Sequence, residues 1–123
     1  GWGPRVYDVS YAVFFIRHAL KAHHGKSGED VEVWKEVYRS FAEGYAEHAE
    51  RPLLDHEILA MPAQIECVAI HFMLNDMQKA RDSDSIVAAF TNEYLEIRDW
   101  LDTHWSRLAD IFRGAGERAR SGG

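Results

Sequence analysis

The stretch PAQIECVAIHFMLNDMQKA, Pro62 to Ala80, decides how the rest of the chain is read. Ile65, Cys67, Val68, Ala69, Ile70, Phe72, Met73, Leu74 and Met77 leave it almost no polar face, and a helix apolar nearly all round has to be covered on several sides. Its one persistent polar line is Gln64, His71, Asn75 and Gln78, spaced by three or four residues, so only that strip is expected to meet water. Pro62 suits the first helical turn, where its missing N–H costs nothing, and the charged run Lys79 to Asp84 closes the pattern. The expectation is a central helix over 62–80, in contact with three other long helical segments.

Those segments are legible on either side. From Val6 an apolar stripe runs through Val9, Ala12, Val13, Ile16 and Leu20 until Gly25 offers a left-handed stop. A second stripe comprises Trp34, Val37, Tyr38, Phe41, Ala42 and Tyr45, with Ser27 and Asp30 as a weak capping box before it and Arg51-Pro52 after it. Gly44 lies inside that pattern, which suggests close approach of another backbone. Asp55 to Ala60 reads as one short helical turn feeding the central helix. Ser83 or Ser85 can cap a last region striped by Val87, Phe90, Tyr94, Leu101, Trp105, Leu108 and Phe112, with Thr91 and Asn92 as a possible break. Gly114 onward reads as a frayed tail. The fold class is therefore all-α, a helical bundle of about four to five helices, with one domain over 1–113 and a flexible tail over 114–123.

Composition narrows the function. The 123 residues are 46% hydrophobic, enough for one core, and the formal charge of −6 with basic residues interleaved among acids disfavours a nucleic-acid partner. Only Arg113, Arg118 and Arg120 make a locally basic patch. Cys67 is the lone cysteine and lies in the most apolar segment, so it reads as a buried, inert thiol in a reducing, cytoplasmic setting. No apolar run reaches the roughly 20 residues that span a bilayer, so no membrane partner is expected. The chain opens at Gly1 and has no methionine before Met61, which reads as a piece of a longer polypeptide.

Few residues announce chemistry. The seven histidines show no Glu-x-x-His or His-Glu-x-x-His spacing, and Glu66 and His71 diverge on a helix, so no metal site is expected. Glu43, Glu47 and Glu50 form an acidic ridge that is either a solvated face or a docking site for a cation. Trp100, Trp105 and Tyr94 are either core or an aromatic wall for a cation. Glu43, Glu47 and Trp100 are thus the candidate substrate-binding residues. Asp8, a carboxylate among Val6, Tyr7, Val9 and Tyr11, either caps its own helix or accepts from a donor elsewhere.

A resemblance supplies a function. The run Gly1-Trp2-Gly3-Pro4-Arg5-Val6-Tyr7-Asp8-Val9-Ser10-Tyr11-Ala12 resembles the segment that follows the metal-binding Asp-Phe-Asp/Glu motif in aminoglycoside phosphotransferase-family kinases and enters a helix as Gly-Pro...Tyr-Asp-Leu-Ala. Phe41-Ala42-Glu43-Gly44-Tyr45, Arg51-Pro52-Leu53, Glu57, Met61-Pro62-Ala63 and the apolar run Ala69 to Leu74 resemble the register of the homoserine-kinase-like branch. Val9-Ser10 stands where that family commonly has Leu-Ala. The resemblance covers about Gly1 to Met77. It implies the helical C-terminal part of the substrate lobe of a protein-kinase-like fold, in which the catalytic loop and the magnesium-holding Asp lie upstream.

The implied reaction is transfer of the ATP γ-phosphoryl group to a hydroxyl of a small molecule, by positioning and metal electrostatics. ATP and magnesium then belong to the parent protein, and this chain alone is expected to bind neither. The resemblance gives Asp8 the role of a brace for the catalytic loop and supplies no catalytic base. It implies an upstream kinase half as partner, with apolar surface near Trp2, Tyr7 and Tyr11 left to self-associate when that half is absent. The competing expectation is a self-contained helical ligand-binding or protein-interaction module.

Overall fold

A computed structural model describes residues 4–122. Helix α1 spans Pro4–His24, α2 Lys35–His48, α3 Asp55–Lys79, α4 Ser83–Phe90 and α5 Glu96–Gly122. A 3-10 turn, Gly25–Glu29, follows α1, and a π-turn, Thr91–Leu95, joins α4 to α5. The class is all-α: four long helices and the short α4, with no strand among the described residues.

Helix α1 ends where the pattern breaks. Gly25 takes φ 63°, a left-handed conformation that a side chain disfavours. Three residues on, Gly28 lies so close to α1 that a Cβ there would stand 2.1 Å from the Leu20 carbonyl oxygen. The chain therefore folds back flat against the helix it has just left. The expected capping box does not open α2. Ser27 Oγ donates back to the His24 carbonyl and Asp30 Oδ1 accepts from the Glu32 amide, so both residues serve the turn, and α2 begins only at Lys35. Gly44 has no atom within 4 Å of where its Cβ would be, so close approach does not explain it.

Side-chain pairs give the helix directions. Arg5 meets Glu57 and Phe14 stacks on Phe72 at 5.5 Å, so α1 and α3 run parallel. Asp55 pairs with Arg113 while the end of α3 lies by the π-turn, so α5 runs antiparallel to α3. On α2, Glu32 before it reaches Arg107, Phe41 meets Phe112 at 6.3 Å and Glu43 pairs with Arg118, so α2 follows α5. The core comprises Val6, Val9 and Val13 of α1, Tyr38 and Ala42 of α2, Ile58, Met61, Ile65, Val68 and Ala69 of α3, and Ile97, Leu101, Leu108 and Phe112 of α5.

Helix α3 is central but covered on one side only. It packs on α1, α5, α4 and the π-turn, while α2 packs mainly on α5. Ile65 and Val68 are buried, yet Leu59 is 60% and Leu74 49% exposed, and Cys67 and Ile70 lie on the same outer face. The expectation of a buried thiol is therefore wrong: Cys67 is exposed, because the apolar circumference exceeds what four neighbours cover.

The start of α3 also differs. Asp55 to Ala60 is continuous with the central helix, which places Pro62 in its interior rather than its first turn. Pro62 offers no N–H to the Ile58 carbonyl, a local cost. The helix begins early because Glu57 Oε1 accepts from the Leu54 amide at 2.8 Å and is held by two arginines, Arg51 at 2.8 Å and Arg5 at 3.2 Å. The resulting 25-residue helix is long and apolar enough, by length and composition, to cross a membrane, which corrects the expectation that no segment is. Its buried face is nevertheless the middle of the core.

The break at Thr91 and Asn92 falls where expected, as the first residues of the π-turn. The tail does not fray at Gly114. Helix α5 continues to Gly122, with Ala115 buried and Gly116 packed so that its Cβ would meet Pro52 at 3.2 Å. Arg113 and Arg118 bind Asp55 and Glu43, so the basic patch is largely neutralised within the fold.

Candidate functional site

The residues singled out by sequence are dispersed. Trp100 is buried, donates from Nε1 to the Glu29 carbonyl at 2.7 Å, and stacks its ring on the Arg17 guanidinium at 5.5 Å. It does meet a cation, but one from its own chain. Glu43 lies on the far side of α2, 2.7 Å from Arg118, and Glu47 is exposed. Tyr94 is half-buried beside Phe90, and Trp105 packs on the core.

Asp8 sits more than a turn inside α1, which begins at Pro4, so it does not cap that helix. It is exposed and makes no side-chain hydrogen bond or ion pair with any described residue. Beside it, Tyr7, Tyr11 and Phe15 form a ladder at 5.7 and 4.7 Å between ring centroids, with Tyr7 46% and Phe15 38% exposed. Trp2, expected on the same face, lies outside the described residues. The start of α1 thus carries a partly exposed aromatic strip and a carboxylate with no partner among the described residues.

The better-formed cleft lies at the other end of α1. Phe14, Arg17, His18, Lys21 and Ala22 face Asn92 and Glu93 of the π-turn around about 410 Å³. Helical spacing brings Phe14, Arg17, His18 and Lys21 to one side of α1, and the π-turn's wider coil turns Asn92 and Glu93 toward them. Arg17 Nη2 binds Glu29 Oε1 at 2.8 Å, and Lys21 bridges Glu29 and Glu96. Burial pushes the Arg17 guanidinium below its usual value, with Glu29 and then Glu96 opposing that shift. Burial likewise pushes the Tyr38 phenol up, with Arg17 opposing. These cations are already paired, so the wall they form is neutralised rather than free.

Glu93 is the unusual group. Burial, then the Asp76 charge and a hydrogen bond with Asp76, hold its carboxyl above the ordinary range, against the pull of His18 and Lys21. A shifted acid in a polar cleft is a reasonable marker of function. Among the described residues no three His, Cys, Asp or Glu side chains converge to hold a metal. The cleft presents charged and amide side chains around a carboxyl that keeps its proton to higher pH than usual. Sequence reading did not single out Glu93. The available signal was an acid wedged between Phe90 and Tyr94, next to the break at Thr91 and Asn92.

Comparison of the chain with protein families, curated proteins and solved structures returns no significant match.

Proposed function

We propose that this chain is the C-terminal helical part of the substrate lobe of an ATP-dependent phosphotransferase, of the aminoglycoside phosphotransferase type and its homoserine-kinase-like branch, acting on a hydroxyl of a small molecule. The observation that carries the reading is Asp8. It stands on the solvent side of α1, beside exposed Tyr7, with no partner among the described residues, and its alternative role as a cap is removed by the helix start at Pro4. A carboxylate so placed can accept backbone N–H bonds from a neighbouring loop, and the Tyr7, Tyr11 and Phe15 strip gives that loop's half an apolar surface to pack on.

ATP and magnesium belong to the upstream half in this reading. The described residues offer no convergent metal ligands and no Gly-rich phosphate loop, so they do not fit either group, and no chemical step is assigned to them. Their part is to brace the catalytic loop and shape the acceptor side, where the cleft at the π-turn supplies polar wall. The lone Cys67 suits a reducing, cytoplasmic setting.

A self-contained binding module is the second reading, favoured by the core that α1, α2, α3 and α5 build among themselves. Activity separates the two. Asp8→Asn in the protein with its upstream half should lower turnover at least about tenfold, the equivalent of about 1.4 kcal/mol, with little change in melting temperature. Near wild-type turnover would remove the phosphotransferase role of Asp8. Calorimetry of this chain alone with Mg-ATP should show no saturable binding, and micromolar affinity would favour the self-contained module.

A further inference from the structure

Along the outer face of α3, Ala63, Cys67, Ile70, Leu74 and Met77 recur at intervals of four, three, four and three residues. The first four are exposed and Met77 is half-buried, so none of the described helices lies across them. An apolar line with that alternation is the a/d seam of a two-stranded coiled coil, which presents one edge to a second helix of the same repeat. The rest of the molecule leaves this edge clear. Helix α4 and the π-turn share a cleft with Asp76 and Lys79, which helical spacing sets on the opposite side of α3.

The residues flanking the seam select the partner. Leu59, Glu66 and Met73 run along one side, at the g positions, and Gln64, His71 and Gln78 along the other, at the e positions. Glu66 and His71 diverge on their own helix, but in a parallel pair the g residue of one helix meets the e residue five positions on in the other. Glu66 of one copy therefore meets His71 of the other, twice across a two-fold axis. The remaining pairs, Leu59 with Gln64 and Met73 with Gln78, bring no like charges together. An antiparallel partner sets g against g, where Glu66 finds only Leu59, Met73 or another Glu66. Within the chain, Glu66 has no hydrogen bond or ion pair among the described residues, and the polar contact of His71 is with the Asn75 amide, at 3.4 Å.

We propose that the outer face of α3 is a homodimer interface, in which the 63–77 segments of two copies of this chain pack in parallel about a two-fold axis. Cys67 occupies an a position in mid-seam and faces its own counterpart there, with Cα atoms inside the range of about 4.4 to 6.8 Å that a disulfide spans. The seam is only about 21 Å long, so the dimer is weak. The inference does not rest on the phosphotransferase reading, which gives the missing half a different surface, the Tyr7, Tyr11 and Phe15 strip of α1.

Sedimentation equilibrium of the intact chain under reducing conditions should show a monomer–dimer equilibrium. Leu74→Glu puts a charge into the seam at an exposed position, and should raise the dissociation constant at least about tenfold while leaving the melting temperature of the dilute monomer unchanged. Glu66→Lys should weaken the dimer about threefold, and adding His71→Glu should restore it by reversing the same pair, a rescue that an unrelated partner surface would not give. Oxidised glutathione, itself reduced to the thiol, should convert the wild type to a Cys67-linked dimer, at least about tenfold faster than Leu74→Glu at equal concentration. A chain that stays monomeric at millimolar concentration would overturn the proposal. So would a dimer that Leu74→Glu leaves intact, that His71→Glu fails to rescue, or in which Cys67 does not cross-link.

Discussion

A glutamate lies in a half-dry site beside each end of α3, Glu57 in its first turn and Glu93 in the π-turn near its last, and the two behave oppositely. At the start, burial pushes Glu57 up, but the Arg51 hydrogen bond, the Leu54 amide and the Arg5 charge outweigh it, and the carboxyl falls below its usual range. At the far end, burial of Glu93 is reinforced by the charge of Asp76 and only opposed in part by His18 and Lys21, and the carboxyl rises. Burial acts in the same direction on both, so the neighbours decide the outcome. The first end is clamped, with Arg5 also donating to the Arg51 carbonyl at 3.0 Å and lying over the Tyr45 ring at 5.9 Å. The second has no such clamp: no ion pair holds Glu93 among the described residues.

The sharpest way to break that contrast is to cut core from each end. Met61 is fully buried near the start, so Met61→Ala should cost about 3 kcal/mol, whereas Leu74→Ala, on the exposed face, should stay within about 0.5 kcal/mol. Urea denaturation of both variants reads the difference, and equal losses would mean the outer face is covered after all.

A smaller loss is expected from Glu57→Ala, about 2 kcal/mol, because it strands the Leu54 amide and uncouples two arginines at a buried position. The pH dependence should then separate the ends. Glu57 has a lowered folded value, so its contribution is present above the unfolded value and lost as pH falls through the folded one, while that of Glu93 is lost as pH rises. Denaturation midpoints of Glu57→Gln should thus lose acid sensitivity, and those of Glu93→Gln should lose their decline toward neutrality. If the two variants show the same pH profile as each other, the contrast fails.

Smaller still is Ser10→Ala. Ser10 is fully buried in α1 and its Oγ has no hydrogen-bond partner, so removing the hydroxyl should raise stability by about 1 kcal/mol, seen as a higher melting temperature. The smallest effect belongs to Asp8→Asn in this chain, within about 0.5 kcal/mol, since an exposed carboxylate without partners among the described residues has little to lose.

The stripes of α1, α2 and α5, the stop at Gly25 and the break at Thr91 were all legible in the chain, because helical periodicity and glycine's backbone freedom are local properties. That determines the all-α class and the number of long segments. Tertiary structure alone decided which half of α3 is covered, hence that Cys67 and Leu74 face outward, and it decided that Pro62 would be tolerated inside a helix begun by Glu57. It also set Glu57 against Glu93 and tied up Trp100 with Arg17. The physical reason is range: a residue's spacing fixes the face of the helix it occupies, but its burial and charge state depend on groups brought close from dozens of positions away, as Arg5 is to Glu57 and Trp100 is to Arg17.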